Sequence, residues 1–380
     1  MSARALAAAA AAAAVLALAG CQKQEQILRG GTVLGSTLTI YSSLPAPSRG
    51  ASRDIVDGEK LALAEAKGQA GAYSINFSSL DEAAPEPSGA VARAATVTRQ
   101  MITDTQTMAV IGSQRSDAAM SAIPLLNEAG ILHLSPGAAY PGFTTRVADG
   151  EPERWFPAAR STFARVVGDD RAQARALVAA AGSRRIVIEA EAGQEASALA
   201  AELRRAAAAT GATVGDRPER AGAVIYAGVD PENAAGVAEG LAREAPKARV
   251  VLPEAVVRAG VDERLAPAAA RRAVLVSAAP EPGSTPALQR FEAAFQREFG
   301  RAPGPYAAIG HAAMTSVLSA IEHAGKRAGD RQAVIDAYFR AGGVETVLGR
   351  LSVRESGEVA DPRFSVFRLR GGQREYQSGE

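Results

Sequence analysis

Cysteine is almost absent from this chain: among 380 residues only Cys21 carries a thiol, so an intramolecular disulfide is excluded. Aromatic residues make up 5 % of the sequence, with Trp155 the single tryptophan, and alanine supplies much of the 47 % hydrophobic content. Histidine occurs three times, at His133, His311 and His323, and no Gly-x-Ser-x-Gly elbow accompanies any of them. These histidines are expected in the core or on the surface. Trp155, in Arg154-Trp155-Phe156, is expected to pack. No zinc spacing and no calcium loop is found, and Gly30-Gly31…Gly35 lacks the lysine and preceding strand of a phosphate loop. The net charge of +1 gives no field for nucleic acid. The sequence therefore argues against an enzyme, expects no cofactor or metal, and leaves small-molecule binding open. A chain of this length is expected to hold about two domains.

What is present begins at the N-terminus. Arg4 is followed by the apolar run Ala5 to Leu18, and Leu18-Ala19-Gly20-Cys21 closes the segment. Residues 1–20 read as a signal peptide, too short and too alanine-rich for a membrane span. The last four residues resemble the lipobox of bacterial lipoproteins, in which the cysteine thiol takes a diacylglyceryl group and its freed amine a further acyl chain. The only cysteine of the chain stands at the one position that motif requires. Anchoring through Cys21 would hold an exported protein at the outer face of the cell membrane or in the periplasm. Gln22 to Arg29 is polar and reads as a tether.

Beyond the tether, strands and helices alternate. Strands are expected at Leu38–Tyr41, Tyr73–Phe77, Met108–Ile111 and Ile131–Leu134, with helices at Asp54–Ala66, Ala90–Thr103 and Ser116–Ala129, the last closed by Gly130. A second series is expected to start at Phe163–Val166. It continues through helices Asp170–Ala181, Gln194–Thr210 and Pro231–Glu244 and strands Arg185–Ile188, Val224–Ala227, Val250–Leu252 and Val274–Ser277. Helices Thr285–Phe299, Ala307–Ala324 and Val334–Ala341 follow, then a terminal hairpin of Leu351–Val353 with Phe364–Leu369. Two alternating series predict an α/β protein of two lobes with parallel sheets.

Ligands of open α/β sheets bind beyond the carboxyl ends of the strands. Three loops fall there: Ser42–Ser52, which holds Ser48, Arg49 and Ser52; Gly112–Ser116, with Ser113 and Ser116; and Ser135–Ala139, with Ser135, Gly137 and Ala139. Ser116 is a candidate N-cap, and a helix N-terminus with a hydroxyl beside it attracts a carboxylate. Each serine taken alone is equally explained by capping or turn closure. Asp230 and Glu232, after Val224–Ala227, are candidates for a ligand ammonium or for a helix first turn.

The blocks Ile40-Tyr-Ser-Ser-Leu-Pro…Ser48-Arg-Gly-Ala-Ser52…Asp57-Gly58, Met108-Ala-Val-Ile-Gly-Ser through Ser121–Pro136, Tyr306–Met314 and Val347–Leu351 stand in a characteristic order. From Leu38 to Tyr376 the chain resembles the branched-chain amino acid (Leu/Ile/Val-type) substrate-binding proteins of ABC transporters. That resemblance implies the periplasmic binding protein type I fold: two Rossmann-like lobes joined by a three-strand hinge that closes on ligand. Lobe 1 would span 38–155 with about 280–345 returning to it, and lobe 2 would span 156–279 with about 346–380; residues 21–37 would be lipidated cysteine and tether. It further implies that Ser116 binds an α-carboxylate, that Gly137 offers backbone groups and that Glu232 holds an ammonium. The partners implied are an amino acid or related carboxylate and ABC permease subunits, for a monomer. Two departures touch the ligand shell. Ala139 replaces a frequent threonine, and Glu189–Glu195 replaces a segment that carries a cleft tyrosine. A sensory or regulatory receptor of the same fold with a changed ligand is the alternative.

Overall fold

The computed structural model describes residues 31–84 and 89–379. The expected signal peptide, Cys21 and the expected tether Gln22–Arg29 lie outside the described residues. Within the expected tether block 21–37, Val33 is already buried and its N–H bonds the carbonyl of Gly329 at 2.7 Å, so its end is docked on the folded chain.

The first sheet contains β1 (Thr37–Leu44), β2 (Gln69–Ala70), β3 (Tyr73–Asp81), β4 (Thr107–Gly112), β5 (Leu132–Ser135) and β6 (Phe163–Arg165), in the order β2-β3-β1-β4-β5-β6. All neighbours are parallel except the short edge strand β2. β4 is buried at every position, as a parallel strand covered on both faces must be. Its covering helices are α1 (Gly50–Glu65), α2 (Ala90–Thr103) and α3 (Ser116–Glu128).

The second sheet holds β7 (Arg185–Ala190), β8 (Thr213–Gly215), β9 (Ala223–Ala227), β10 (Arg249–Leu252), β11 (Ala273–Ser277), β14 (Ser365–Arg370) and β15 (Gln373–Gly379), in the order β15-β14-β11-β10-β9-β7-β8. Helices α4 (Asp170–Ala181), α5 (Gln194–Thr210), α6 (Pro231–Glu244), α7 (Glu254–Arg258) and α8 (Pro267–Ala270) accompany it. The boundaries follow local chemistry. Asp169 caps α4 by accepting from Ala172 N–H, and Gly182 ends that helix in the left-handed region at φ 56°. Asp230 caps α6, with Pro231 at its first position.

After β11 the chain returns to the first sheet as α9 (Pro286–Phe299), α10 (Ala307–Ala324) and α11 (Arg331–Arg340), then forms the small hairpin β12 (Val344–Thr346) and β13 (Gly349–Leu351) before reaching β14. The lobes are thus joined by three passages of chain: 166–169, 278–285 and 352–364. Helices α1 and α10 cross at glycines. A Cβ on Gly58 would fall 1.9 Å from the carbonyl oxygen of Ala307, and one on Gly310 would fall 1.9 Å from that of Ile55.

Three expectations change. Phe163–Arg165 closes the first sheet, paired with β5 through His133 and Phe163, so the first passage follows Arg165 and not residue 155. The terminal hairpin joins β14 to β15, while Leu351 pairs with Val344. The sheets are mixed: β2, β14 and β15 run antiparallel to their neighbours. Periodicity marks a strand but not its partner. β15 (QREYQSG) alternates partly buried with exposed residues and has no apolar run to announce it.

Candidate functional site

The carboxyl ends of β1, β4 and β5 face those of β9 and β10 across a cleft of about 390 Å³. Its first-lobe wall is made by loop residues. The N–H of Gln114 donates to Glu82 Oε1 at 3.4 Å, and Ser43 Oγ donates to Glu82 Oε2 at 3.1 Å. Glu82 is fully enclosed, and burial pushes its carboxyl up to about 7 despite these bonds. Ser52 Oγ donates to Gln114 Oε1 at 3.3 Å, while the buried Gln114 Nε2 has no partner among the described residues.

Ser116 is the first residue of α3 and not its cap, since Arg115 holds the cap position without a side-chain bond. Ser116 Oγ instead accepts from the N–H groups of Ala139 and Tyr140, each at 3.1 Å. Both lone pairs are engaged, so the hydroxyl proton is what remains for a ligand. Ser135 Oγ donates to the Ser113 carbonyl at 2.7 Å and accepts from Ala138 N–H at 2.8 Å. It closes its own turn.

The second lobe supplies charged groups. Asp170, buried at the start of α4, accepts from Gln173 Nε2 at 2.7 Å. Glu195, in the first turn of α5, reaches across the cleft to accept from Asp117 N–H at 2.7 Å. The N-terminus of α3 therefore already meets a carboxylate of the opposite lobe. Glu254 accepts from Ala278 N–H at 2.8 Å and pairs with Arg258 at 3.3 Å. Arg258 Nη2 donates to the Gln114 carbonyl at 3.4 Å and lies over Gly137, where a Cβ would meet Nη1 at 2.7 Å. Burial raises the carboxyls of Asp170, Glu195 and Glu254 above the usual carboxylate range.

Of the residues expected from sequence, Arg49, Ser52, Ser116, Gly137 and Ala139 line this cleft. Ser113 and Ser135 are buried behind it. Ser48 is exposed outside the lining. Asp230 and Glu232 do not reach the cleft. Asp230 Oδ1 is spent on the N–H groups of Glu232 and Asn233, and Glu232 points to solvent with Arg264 at 2.6 Å. Their helix-first-turn explanation accounts for both. Sequence reasoning missed Gln114, Asp170, Gln173, Glu195, Glu254 and Arg258 as wall residues. One signal was present: Glu195 belongs to the segment that departs from the tyrosine-bearing pattern.

His133 and Trp155 behave as packing residues, while His311 pairs with Glu65 and His323 is exposed. Trp155 Nε1 donates to the Gly142 carbonyl at 3.0 Å, and its ring meets Phe143 edge-on at 5.4 Å. His133, on β5, contacts the Gly112 carbonyl through Nε2 and leaves a buried, unpartnered Nδ1. Burial lowers its pKa from 6.5 to about 4. The unfolded chain therefore takes up this proton first, and stability falls as pH drops from about 6.5 to about 4, then levels off. The contribution is about 3 kcal/mol at order of magnitude. Glu82 acts oppositely, its contribution being lost as pH rises from 4.5 towards 7. Urea unfolding of wild type and His133→Gln at pH 7 and pH 5 separates them: wild type should lose more stability on acidification, and equal losses would refute the assignment. Among the described residues no cluster could hold a metal ion, and no helix is long and apolar enough to cross a membrane.

Two α/β lobes, three passages between them and a polar cleft at the facing strand ends define the type I periplasmic binding protein fold. Residues 219–373 match the family model described as periplasmic binding protein. Among solved structures, an ABC transporter substrate-binding protein from Desulfitobacterium hafniense in complex with Leu is similar at 19 % identity, with 90 % of this chain and 100 % of that chain covered and a TM-score of 0.74. A leucine-binding protein from Thermotoga maritima gives 18 % identity, 90 % and 98 % coverage and a TM-score of 0.74. A solute-binding protein of an ABC transporter from R. palustris in complex with benzoate gives 18 % identity, 90 % and 95 % coverage and a TM-score of 0.69. A search of curated protein sequences finds no match. The resemblance read from the sequence motifs and the α/β fold class derived from it both stand.

Proposed function

We propose that this chain is a lipid-anchored solute-binding protein of an ABC importer that captures a small polar ligand, an amino acid or related carboxylate, by closure of its two lobes. The observation that carries this reading is the cleft itself. Ser116, Gln114 and Arg49 on one wall face Asp170, Glu195 and Arg258 on the other, so a ligand in the cleft would touch both lobes. Contacts made in the closed state alone are what allows a ligand to drive closure. The similar solved proteins are substrate-binding components of ABC transporters, which supports a permease as partner. No bond is made or broken in such a cycle. The anchor at Cys21 would keep the binder beside the membrane.

A thermal-shift screen of the mature chain from residue 22 against amino acids, amides and small carboxylates tests the ligand. A ligand at 100 times its dissociation constant adds about 2.7 kcal/mol of stability. A screen with no response discards the reading. For a ligand so found, Ser116→Ala should weaken binding about five- to tenfold through loss of one hydroxyl donor; unchanged affinity would remove Ser116 from the site. Labelling of the expressed full chain with a palmitate analogue should be lost in Cys21→Ser. Equal labelling of both refutes the anchor.

A further inference from the structure

Away from the three passages, the cleft is already bridged by the protein itself. Glu195 of α5 sends Oε1 to the N–H of Asp117 on α3, at 2.7 Å. Each residue lies in the first turn of its helix. Two helix N-termini from opposite lobes therefore meet here, and their like partial charges disfavour the approach. The Glu195 carboxylate stands between them and turns that repulsion into attraction. Arg115 and Arg258 favour its charged form, against burial and Asp117. The contact does not stand alone. One turn further along α5, Ala198 packs against the first-lobe cluster of Ala119, Ile123, Tyr140 and Phe143. Residues three apart share one helix face, so Glu195 and Ala198 address the first lobe together. From α7, Arg258 Nη2 donates to the Gln114 carbonyl at 3.4 Å. Acid, alanine and arginine all belong to the second lobe, and what they touch belongs to the first. None of these contacts involves a ligand.

We propose that Glu195 and Ala198 form a latch that holds the two lobes together over an empty cleft. The free protein is then mostly closed, and a solute enters only through the open fraction. Opening breaks a charge-assisted hydrogen bond and uncovers the apolar patch beneath Ala198. The loss of that bond alone corresponds to a change of at least about tenfold in the open-to-closed ratio. A latch of this kind restrains the binder in the absence of solute, and it resides in residues 189–195 and the turn that follows, where the sequence departs from the tyrosine-bearing pattern.

The inference rests on the reading that the lobes swing about the three passages, and its test needs no ligand. The chain from residue 22 has no cysteine, so spin labels attach only where one is introduced. Ser48→Cys adjoins the cleft residue Arg49, and Asn233→Cys, in the first turn of α6, follows the cleft residue Val229 on the opposite lobe. Both positions are exposed. Pulsed dipolar EPR is recorded on protein stripped of bound solute by unfolding and refolding. The wild-type background is expected to give one short distance. Glu195→Ala should add a longer one by removing the acceptor. Ala198→Arg should do the same by wedging a long side chain into the seam. Alanine and arginine both suit a helix, so neither change threatens the fold of α5. Glu195→Asp keeps the charge but is one methylene short of Asp117, and it should open like Glu195→Ala. A wild type that is already open, a Glu195→Asp variant as closed as wild type, or an open form whose share is unchanged by Glu195→Ala overturns the latch and leaves the solute-binding reading to its own screen. One short distance in every variant, Ala198→Arg included, overturns lobe closure as well.

Discussion

Arg165→Leu is expected to lower stability by about 3–5 kcal/mol, because it removes one member of a buried charged network. Arg165 is 0 % exposed. Its guanidinium donates to the carbonyls of Ala138, at 2.7 Å, and Tyr140, to Thr144 Oγ1 at 2.8 Å, and to Glu358. Leucine fills the volume in part but leaves two carbonyls without their donor and the Glu358 carboxylate without its cation, with only Thr144 Oγ1 still donating to it. These groups lie far apart in sequence. Ala138 and Tyr140 flank Ala139 in the cleft wall, and Glu358 belongs to the third passage between lobes. The substitution should therefore loosen the loop that Ser116 holds as well as the junction of the lobes. Urea unfolding measures the loss. The double variant Arg165→Leu/Glu358→Gln should be less destabilised than the sum of its parts, since the uncompensated carboxylate is gone. A loss below about 1 kcal/mol in Arg165→Leu would show the network to be unimportant.

Gly310→Ala is expected to destabilise by about 3 kcal/mol, at the upper end of overpacking effects. The sign is informative. Within a helix, alanine is ordinarily favoured over glycine by about 1 kcal/mol. At Gly310 the added methyl would fall 1.9 Å from the Ile55 carbonyl oxygen, and backbone does not yield as a flexible side chain does. Helices α1 and α10 would have to separate, and with them the covering of the first sheet. Gly236 on α6 is the control: its added Cβ meets nothing within 4 Å, so Gly236→Ala should stabilise by about 0.5–1 kcal/mol. Thermal melts of the two variants should move in opposite directions. If Gly310→Ala also raises the melting temperature, the close helix crossing is wrong.

Much of the fold was legible because its signals are local. Five helices, Ala90–Thr103, Asp170–Ala181, Gln194–Thr210, Pro231–Glu244 and Ala307–Ala324, have the bounds that periodicity and capping predict. The parallel strands read as apolar runs because both faces are covered. What failed was pairing and short structure. β6 was assigned to the wrong sheet, β15 was too polar to notice, and α7, five residues long, carries three cleft residues in Glu254, Ala255 and Arg258 without a detectable period.

The site divided along the same line. Loops at strand ends placed Arg49, Ser52, Ser116, Gly137 and Ala139 in the cleft wall, since topology dictates where such loops emerge. The role of each acid could not be read this way. Asp230 and Glu195 both lie in or beside the first turn of a helix, yet one caps that helix at the surface and the other crosses a cleft to an amide 78 positions away. The sequence by itself therefore determined the alternation of elements, the two-lobed class and the loops that form the first wall, all of which follow from local pattern and chain order. Only the tertiary structure decided which charges face the cleft. A carboxylate's partners and burial are set by elements far apart in the chain, and no local spacing encodes them.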